Sequence, residues 1–347
     1  MEPFVKPLIW ENSKLFVIDQ TLLPEKEVYI ELASLQSVFE AIKTLKVRGA
    51  PLIGCCAAFG MVVGLMENKE KVRENGMKTV AKIGNYLKSS RPTAVNLEWA
   101  VNEVIQKIEG LDFSNVDLVI KKAEEEALKI FNDDLEMCRK IGEFGSELIE
   151  DGDVILTHCN AGGLATSGYG TALSPMFFAK NQNKNFKVYV DETRPLLQGA
   201  RLTSYELLKA GIDAVLITDS MSASSIKNKG IKKVIVGADR IASNGDTANK
   251  IGTLALAIIC NFYNIPLYIA APSSTFDFSL KNGGEIPIEE RNPDEVKFFR
   301  GVQTAPKNVG VYNPAFDVTP FSLINAFITE KGILHPPYEN SFKVLRK

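Results

Sequence analysis

Histidine is almost missing from this chain: 347 residues contain two, His158 and His335. That scarcity argues against a histidine-rich metal centre. Cysteine is sparse and odd in number, at five, with spacings that make neither a disulfide framework nor a paired zinc site. The cysteines read as reduced, cytosolic thiols. No charge sign dominates, since 40 Lys and Arg against 42 Asp and Glu leave a net −2. This argues against a protein that coats nucleic acid or binds acidic membranes, while leaving room for a local basic pocket. No apolar signal core opens the chain either; MEPFVKPLIWENSK has charges and prolines where one would run. Two long uncharged stretches, 49–66 and 251–276, contain Gly, Pro or Asn that divide them into turn, helix and strand. They read as buried core rather than membrane spans, and a soluble, cytoplasmic protein is expected.

What is present is apolar mass, 45% of the residues. At roughly 150 residues per domain this supports about two domains, each with a core. The first fifty residues mix strand-like runs at 14–19 and 27–30 with turns, and helical patterns follow at 35–44, 51–66, 72–88 and 94–108. Over 118–149, Ile120, Ala123, Ala127, Phe131, Leu135, Cys138 and Ile141 recur at helical spacing opposite a Glu- and Lys-rich face. This predicts one long amphipathic helix, or two in series, linking two domains. Beyond it, the runs VILTHC (154–159), KVYVDE (187–192), AVLITDS (214–220), KVIVGAD (233–239) and PLYIAAP (266–272) alternate with helical stretches at 165–179, 198–210, 220–229 and 248–263. Nearly continuous apolar strands alternating with helices predict a parallel sheet covered on both faces. The last fifteen or so residues read as a poorly structured tail.

Ligands of open parallel sheets bind outside the carboxyl ends of the strands. Those ends deliver Cys159 with Asn160, Asp191 with Glu192, Asp219 with Ser220, and Asp239 with Arg240. Each residue alone has an ordinary structural explanation as a helix cap or a small buried hydrophobe, but their convergence favours a site. A second signal is anion binding. Arg48-Gly49-Ala50-Pro51 and Arg91-Pro92-Thr93 each put a cation before a predicted helix, and Asn249-Lys250 fall at the start of another. Helix N-termini beside a cation suit phosphate, so a phosphorylated small molecule is expected.

The stretch AGGLATSGYG (161–170) follows a strand, and Asp191 ends the next one, as in a dinucleotide fold. The glycine spacing fails, because Leu173 and Leu164 occupy positions that should be glycine. Nicotinamide binding is therefore the runner-up, resting on fold analogy. A P-loop is absent.

RGAPLIGCCAAFG, RPTAVNLEWA, ILTHCNAGGLAT, VDETRPLLQGARLTSYEL, TDSMSASSI and VGADRIASNGDTANKIGT occur in this order, with DQTLLPEK before them and NPAFDVTP after. With these segments the chain resembles the methylthioribose-1-phosphate isomerase family across nearly its whole length. The wider superfamily includes archaeal ribose-1,5-bisphosphate isomerases and non-catalytic regulatory subunits of the exchange factor for eukaryotic initiation factor two. The resemblance implies that Cys159 and Asp239 are catalytic. It implies that Arg48, Gly49, Ala50, Arg91, Gln198, Asn249 and Lys250 bind substrate. It also implies a cofactor-free, metal-free aldose–ketose isomerase, as a homodimer, with no nucleic acid or membrane partner. Two departures, Gly163 where Ala is usual and DSMSA for DSMAA, touch none of these positions.

The expected fold is α/β: a small mixed α+β N-terminal domain (1–116), a linking helical segment (117–150), and a Rossmann-like parallel-sheet catalytic domain (151–347). The chemistry asks Asp239 to open a furanose whose C1 hydroxyl is blocked by phosphate. That requires a protonated carboxyl and hence a desolvated site. Hydrogen then moves between C2 and C1, by a hydride shift or through an enediol, with Cys159 in a different role in each. Cys55, Cys56, Cys138 and Cys260 are expected to be structural.

Overall fold

One helix, Ala50–Glu67, has 14 of its 18 residues buried, and the N-terminal part of the chain is organised around it. The structure is a computed structural model that describes every residue except Thr93 and Lys347, so Thr93 of the Arg91-Pro92-Thr93 motif lies outside the described residues. By contacts the chain forms two units: Val5–Glu136 with Gly163–Gly170, and Met1–Phe4 with Met137–Gly162 and Thr171–Lys347.

The N-terminal unit opens with an antiparallel meander of β1 (Leu8–Glu11), β2 (Lys14–Ile18) and β3 (Tyr29–Glu31). Helices α1 (Leu35–Lys43), α2 (Ala50–Glu67), α3 (Lys69–Asn75), α4 (Met77–Lys88) and α5 (Val95–Ile108) follow, then α6 (Val116–Ser146), which belongs to this unit as far as Glu136 and to the other from Met137. Because α2 is apolar on all sides, it is stable only when surrounded. Val38 and Ile42 of α1, Ile83 and Leu87 of α4, Val101 and Val104 of α5, and Val119 and Ala123 of α6 join its side chains in one core. Its glycines let neighbours approach: a Cβ on Gly60 would meet Val38 at 2.7 Å, and one on Gly64 would meet Ile83 at 2.6 Å. Among the described residues α2 is the one helix long and apolar enough to cross a bilayer, and 78% of it is buried inside the protein. The helix expected over 72–88 is instead two, since Gly76 takes φ 50° between α3 and α4. The long amphipathic pattern forms a single helix of 31 residues.

In the C-terminal unit β4 (Asp153–Thr157), α7 (Ser174–Asn181), β5 (Phe186–Asp191), α8 (Ser204–Lys209), β6 (Asp213–Ile217), α9 (Ser222–Lys229) and β7 (Lys233–Val236) alternate strictly. Then come β8 (Arg240–Ala242), β9 (Thr247–Lys250), α10 (Thr253–Tyr263), β10 (Leu267–Ala270), β11 (Phe276–Asp277), α11 (Asp294–Lys297), β12 (Phe298–Phe299), β13 (Val302–Gln303), β14 (Phe316–Thr319), β15 (Ala326–Thr329), β16 (Gly332–Leu334) and α12 (Tyr338–Ser341). The main sheet has the order β16-β15-β10-β7-β4-β5-β6. Its strands run parallel except for the edge strand β16. Ile155, Val188, Val190, Ile235 and Ile328 pack on one face with Phe177 of α7 and Leu207 of α8. Leu156, Tyr189, Val234, Val236 and Phe327 pack on the other with Ile226 of α9 and Leu256 of α10. This period-two alternation buries both faces, as the continuous apolar strands predict.

Two further expectations need correction. The helix expected from 248 begins at Thr253, because Thr247–Lys250 is a strand of a second, four-stranded sheet, β11-β8-β9-β14. Nor is the C-terminal segment a loose tail. Tyr338 and Phe342, one helical turn apart, are 4% and 0% exposed. Phe342 has ring neighbours in Phe276 at 4.9 Å, Phe327 at 5.2 Å and Tyr338 at 5.2 Å, and the Tyr338 hydroxyl donates to the Ile324 carbonyl at 2.7 Å. The aromatic pair anchors the segment. Phe342→Ala should therefore cost about 3–5 kcal/mol in urea unfolding, as for other fully buried Phe side chains. A loss below about 1 kcal/mol would mean that the segment does not hold the second face of the sheet.

Candidate active site

Numbered within the sheet, the six parallel strands run 3-2-1-4-5-6, so the chain reverses its direction of travel between β4 and β7. At such a switch point the flanking connections leave in opposite directions and open a crevice at the carboxyl ends. Leu156 of β4 pairs with Val234 of β7. Cys159 stands two residues beyond β4 and Asp239 three beyond β7. The two residues singled out from the sequence thus follow the two strands that define the switch point.

Cys159 differs from the other cysteines. It is half-buried, whereas Cys55, Cys56, Cys138 and Cys260 are buried. Burial pushes Cys56 and Cys260 up to about 12, which keeps those thiols protonated and inert. Its backbone is left-handed, at φ 64°, a conformation that non-glycine residues adopt at a cost of order 1–3 kcal/mol and that clusters at functional sites. The Cys159 N–H donates to Thr193 Oγ1 at 2.8 Å, and its carbonyl accepts from Thr203 Oγ1 at 2.6 Å. Next to it, Asn160 Nδ2 donates to Glu206 Oε1 at 2.8 Å.

Thr193 is itself left-handed, at φ 64°. Asp219 supports that turn, its two carboxylate oxygens accepting from Thr193 N at 2.8 Å and Arg194 N at 2.7 Å. Close by, His158 Nδ1 lies 3.0 Å from Asp191 Oδ2, and Nε2 lies 2.9 Å from the Ile251 carbonyl. A carbonyl only accepts, so Nε2 carries hydrogen, and a carboxylate opposite Nδ1 favours the imidazolium. Burial lowers the His158 pKa, but the hydrogen bond and charge of Asp191, with Asp219 and the Ile251 carbonyl, outweigh it and raise the pKa overall. His158, Asp191 and Asp219 bring ligand-type atoms within 4.8 Å of one another. The protein already engages these groups, Asp191 Oδ1 accepting from Ser222 Oγ at 2.8 Å. They form a hydrogen-bonded support and do not fit a cation site without breaking it.

The same bonds weaken the dinucleotide reading. Asp191 stands where a ribose-binding acid would, but both its oxygens are committed to His158 and Ser222. The helix after β4 starts only at Ser174, far from the tight strand-to-helix turn that cradles a pyrophosphate.

Gln198 is 8% exposed, and its Oε1 is buried with no hydrogen-bond partner. An orphaned buried amide oxygen costs about 1–3 kcal/mol, which is tolerable where a ligand supplies the donor. Gly199 lets this segment reach the end of β5, since a Cβ there would sit 1.8 Å from the Asp191 carbonyl. Asn249 and Lys250 end β9 rather than starting a helix. Asn249 is 8% exposed and donates to Thr253 Oγ1 at 2.9 Å. Lys250 Nζ donates to the Ala315 carbonyl at 3.0 Å and lies 4.7 Å from the Phe316 ring centre. Asp239 departs from expectation: its backbone is fixed by a bond from its N–H to the Ala248 carbonyl at 2.9 Å, but the residue is exposed. The free protein does not provide the desolvation expected for it.

In the N-terminal unit, half-buried Arg48 and Gly49 precede α2, whose first residue is exposed Ala50 with Pro51 next. Half-buried Arg91 precedes α5. The starts of these helices are neighbours, since a Cβ on Gly54 would meet the Asn96 carbonyl at 3.0 Å. Gly49, at φ 93°, packs on the Gly163–Gly170 segment, and any side chain there would strike Ala165 at 2.4 Å. Two cations at two adjacent helix N-termini are an arrangement suited to phosphate. Sequence reasoning missed Thr193, Thr203 and Asp317. Asp317 accepts from Gly252 N at 2.8 Å and Leu254 N at 3.1 Å, holding the start of α10. All three lie inside the long motifs, but nothing local distinguishes a hydroxyl or carboxylate that serves backbone far away in sequence.

The chain resembles known proteins over nearly its full length. It is 49% identical over 342 residues to the 5-deoxyribose 1-phosphate isomerase of Moorella thermoacetica, covering 98% of this chain and 97% of that one. It is also 49% identical over 338 residues to the methylthioribose-1-phosphate isomerase of Desulforamulus reducens, covering 97% and 98%. Among solved structures, 5-methylthioribose 1-phosphate isomerase from Pyrococcus horikoshii OT3 superposes with a TM-score of 0.92 at 40% identity, covering 98% and 95%. A chain described as translation initiation factor eIF-2B, subunit delta, from A. fulgidus gives 0.90 at 43% identity, covering 99% and 100%. Residues 46–336 match the initiation factor 2 subunit family, and with these relatives the chain belongs to that family.

Proposed function

We propose that this protein is a sugar 1-phosphate isomerase that converts 5-methylthioribose 1-phosphate to 5-methylthioribulose 1-phosphate in methionine salvage. The observation that carries the reading is the left-handed, half-buried Cys159 at the switch point, just beyond the strand next to the one leading to Asp239. Close relatives named for isomerases of sugar 1-phosphates support the reaction class. The reading places the protein in the cytoplasm as a homodimer.

In the substrate the phosphate on O1 blocks the aldehyde, so the ring must open first. Asp239 gives a proton to the ring oxygen as the C1–O4 bond breaks. Hydrogen then passes from C2 to C1. If it moves as a hydride, Cys159 stabilises or takes up the O2 proton as the ketone forms; if it moves as a proton, Cys159 serves as acid or base for the enediol. Arg48, Gly49, Ala50, Arg91, Gln198, Asn249 and Lys250 are the proposed substrate-binding residues. Because Asp239 is exposed in the free protein, the bound substrate has to supply its desolvation.

Three measurements test this. Offered 5-methylthioribose 1-phosphate, 5-deoxyribose 1-phosphate and ribose 1,5-bisphosphate in parallel, the protein should turn over the methylthio compound fastest. Cys159→Ser and Asp239→Asn should each lower kcat about 100- to 10,000-fold, the scale of lost proton transfer. Preference for another sugar would reassign the substrate, and no turnover at all would favour a regulatory binding subunit. In pH profiles, the limb belonging to Asp239 should lie at higher pH in kcat, which reports the substrate complex, than in kcat/KM, which reports the free enzyme. Coincident limbs would show that substrate does not desolvate it. Finally, Gln198→Leu removes an orphaned oxygen, so thermal stability should hold or rise while KM increases about tenfold, the effect of one lost hydrogen bond. A raised Tm with unchanged KM would take Gln198 out of the site.

A further inference from the structure

Both backbone polar groups of Cys159 are held by threonine hydroxyls from other segments rather than by the strand ladder. Thr193 Oγ1 accepts from the Cys159 N–H at 2.8 Å and donates to the Asp191 carbonyl at 3.1 Å. Thr203 Oγ1 donates to the Cys159 carbonyl at 2.6 Å and accepts from Asn160 Nδ2 at 3.2 Å. Each hydroxyl spends its single proton once and accepts once, so its donor and one of its two acceptor sites are used. Both threonines are 0% exposed, which keeps water from competing for these bonds. Thr203 closes a short π-helical turn, Gly199–Thr203, a distortion common at functional sites. Thr193 is a β-branched residue at φ 64°, a backbone outlier for its type, and Asp219 holds it there through two backbone N–H groups.

We propose that Thr193 and Thr203 are positioning residues for Cys159, their hydroxyls clamping its N–H and C=O so that the cysteine keeps the left-handed conformation that sets the direction of its thiol. The role in turnover rests on the isomerase reading; the clamp itself does not. Without either bond, Cys159 relaxes toward ordinary extended backbone and the thiol swings out of line. The substrate-binding side chains stay where they are.

Thr193→Val and Thr203→Val remove only the hydroxyls, and the Ser variants keep them. The expectation is a fall in kcat of about 100-fold in the Val variants, the scale set by misplacing a reacting group by about 1 Å. KM should stay within about twofold, and the Ser variants should recover most of the lost rate. If Thr193→Val does not fold, Thr193→Gly relieves the left-handed strain while still lacking the hydroxyl, and the same loss is expected of it. A second readout is independent of turnover: the rate at which iodoacetamide alkylates Cys159, followed by mass spectrometry, should change at least about fivefold in the Val or Gly variants and not in the Ser variants. Folded variants lacking a hydroxyl that keep the parent kcat and alkylation rate would overturn the proposal. Should the parent isomerise none of the sugars, the isomerase reading fails, and the alkylation rates alone decide the clamp, a change supporting it and no change overturning it.

Discussion

The reversal of chain direction between β4 and β7 is the constraint on which the rest of the C-terminal unit depends. Two neighbouring parallel strands whose connections leave toward opposite faces cannot both be covered at their carboxyl ends. Residues just beyond them therefore meet solvent or a ligand, while those within them are sealed. Thr157 is 1% exposed and Val236 0%, yet Cys159 is half-buried and Asp239 exposed. The change from sealed core to accessible chemistry takes two or three residues. A cysteine in mid-strand would be another inert thiol of the kind seen at Cys260.

Strain and unsatisfied polarity gather in the same few residues. Cys159, Thr193 and Leu197 are left-handed, and Gln198 carries an orphaned buried oxygen. Each feature opposes stability by an amount of order 1–3 kcal/mol. The surroundings offset it with hydrogen bonds: Asp219 accepts from the turn at Thr193, His158 bonds to Asp191 and the Ile251 carbonyl, and Glu206 accepts from Asn160. The His158–Asp191 contact ties the ends of adjacent strands β4 and β5, and His158 also reaches the segment before α10. Such a pair is costly to bury, and removing one partner would leave the other buried without its match.

Much of this was legible in the sequence. The strand–helix alternation was readable because burial on both faces demands continuous apolar runs, and the five expected strands all formed, four of them one to three residues shorter than their apolar runs. Cys159 and Asp239 stood out because strand ends are countable. The second sheet was not legible: β8, β9, β11 and β14 are two to four residues long, too short for periodicity to register. For the same reason Asn249 and Lys250 were read as a helix start. The packed C-terminus was hidden because Tyr338 and Phe342 pack on Phe276 and Phe327, which lie outside the segment itself. Thr193 and Thr203 escaped because their role lies in hydrogen bonds to Cys159, across 34 and 44 residues of sequence.

The exposure of Asp239 bears on how such a site could work. A carboxyl required as an acid near neutral pH is normally held protonated by permanent burial. A permanently buried carboxyl at the mouth of an open crevice would need walls that also exclude the substrate. Leaving the carboxyl exposed until a ligand covers it removes that conflict, because the apolar part of the ligand can then serve as the desolvating surface. On this argument a thioether at C5 contributes more than its own binding energy, since a larger apolar group displaces more water than a bare methyl. Substrate size and acid strength would then be coupled, and discrimination among 5-substituted sugars would appear in kcat as well as in KM.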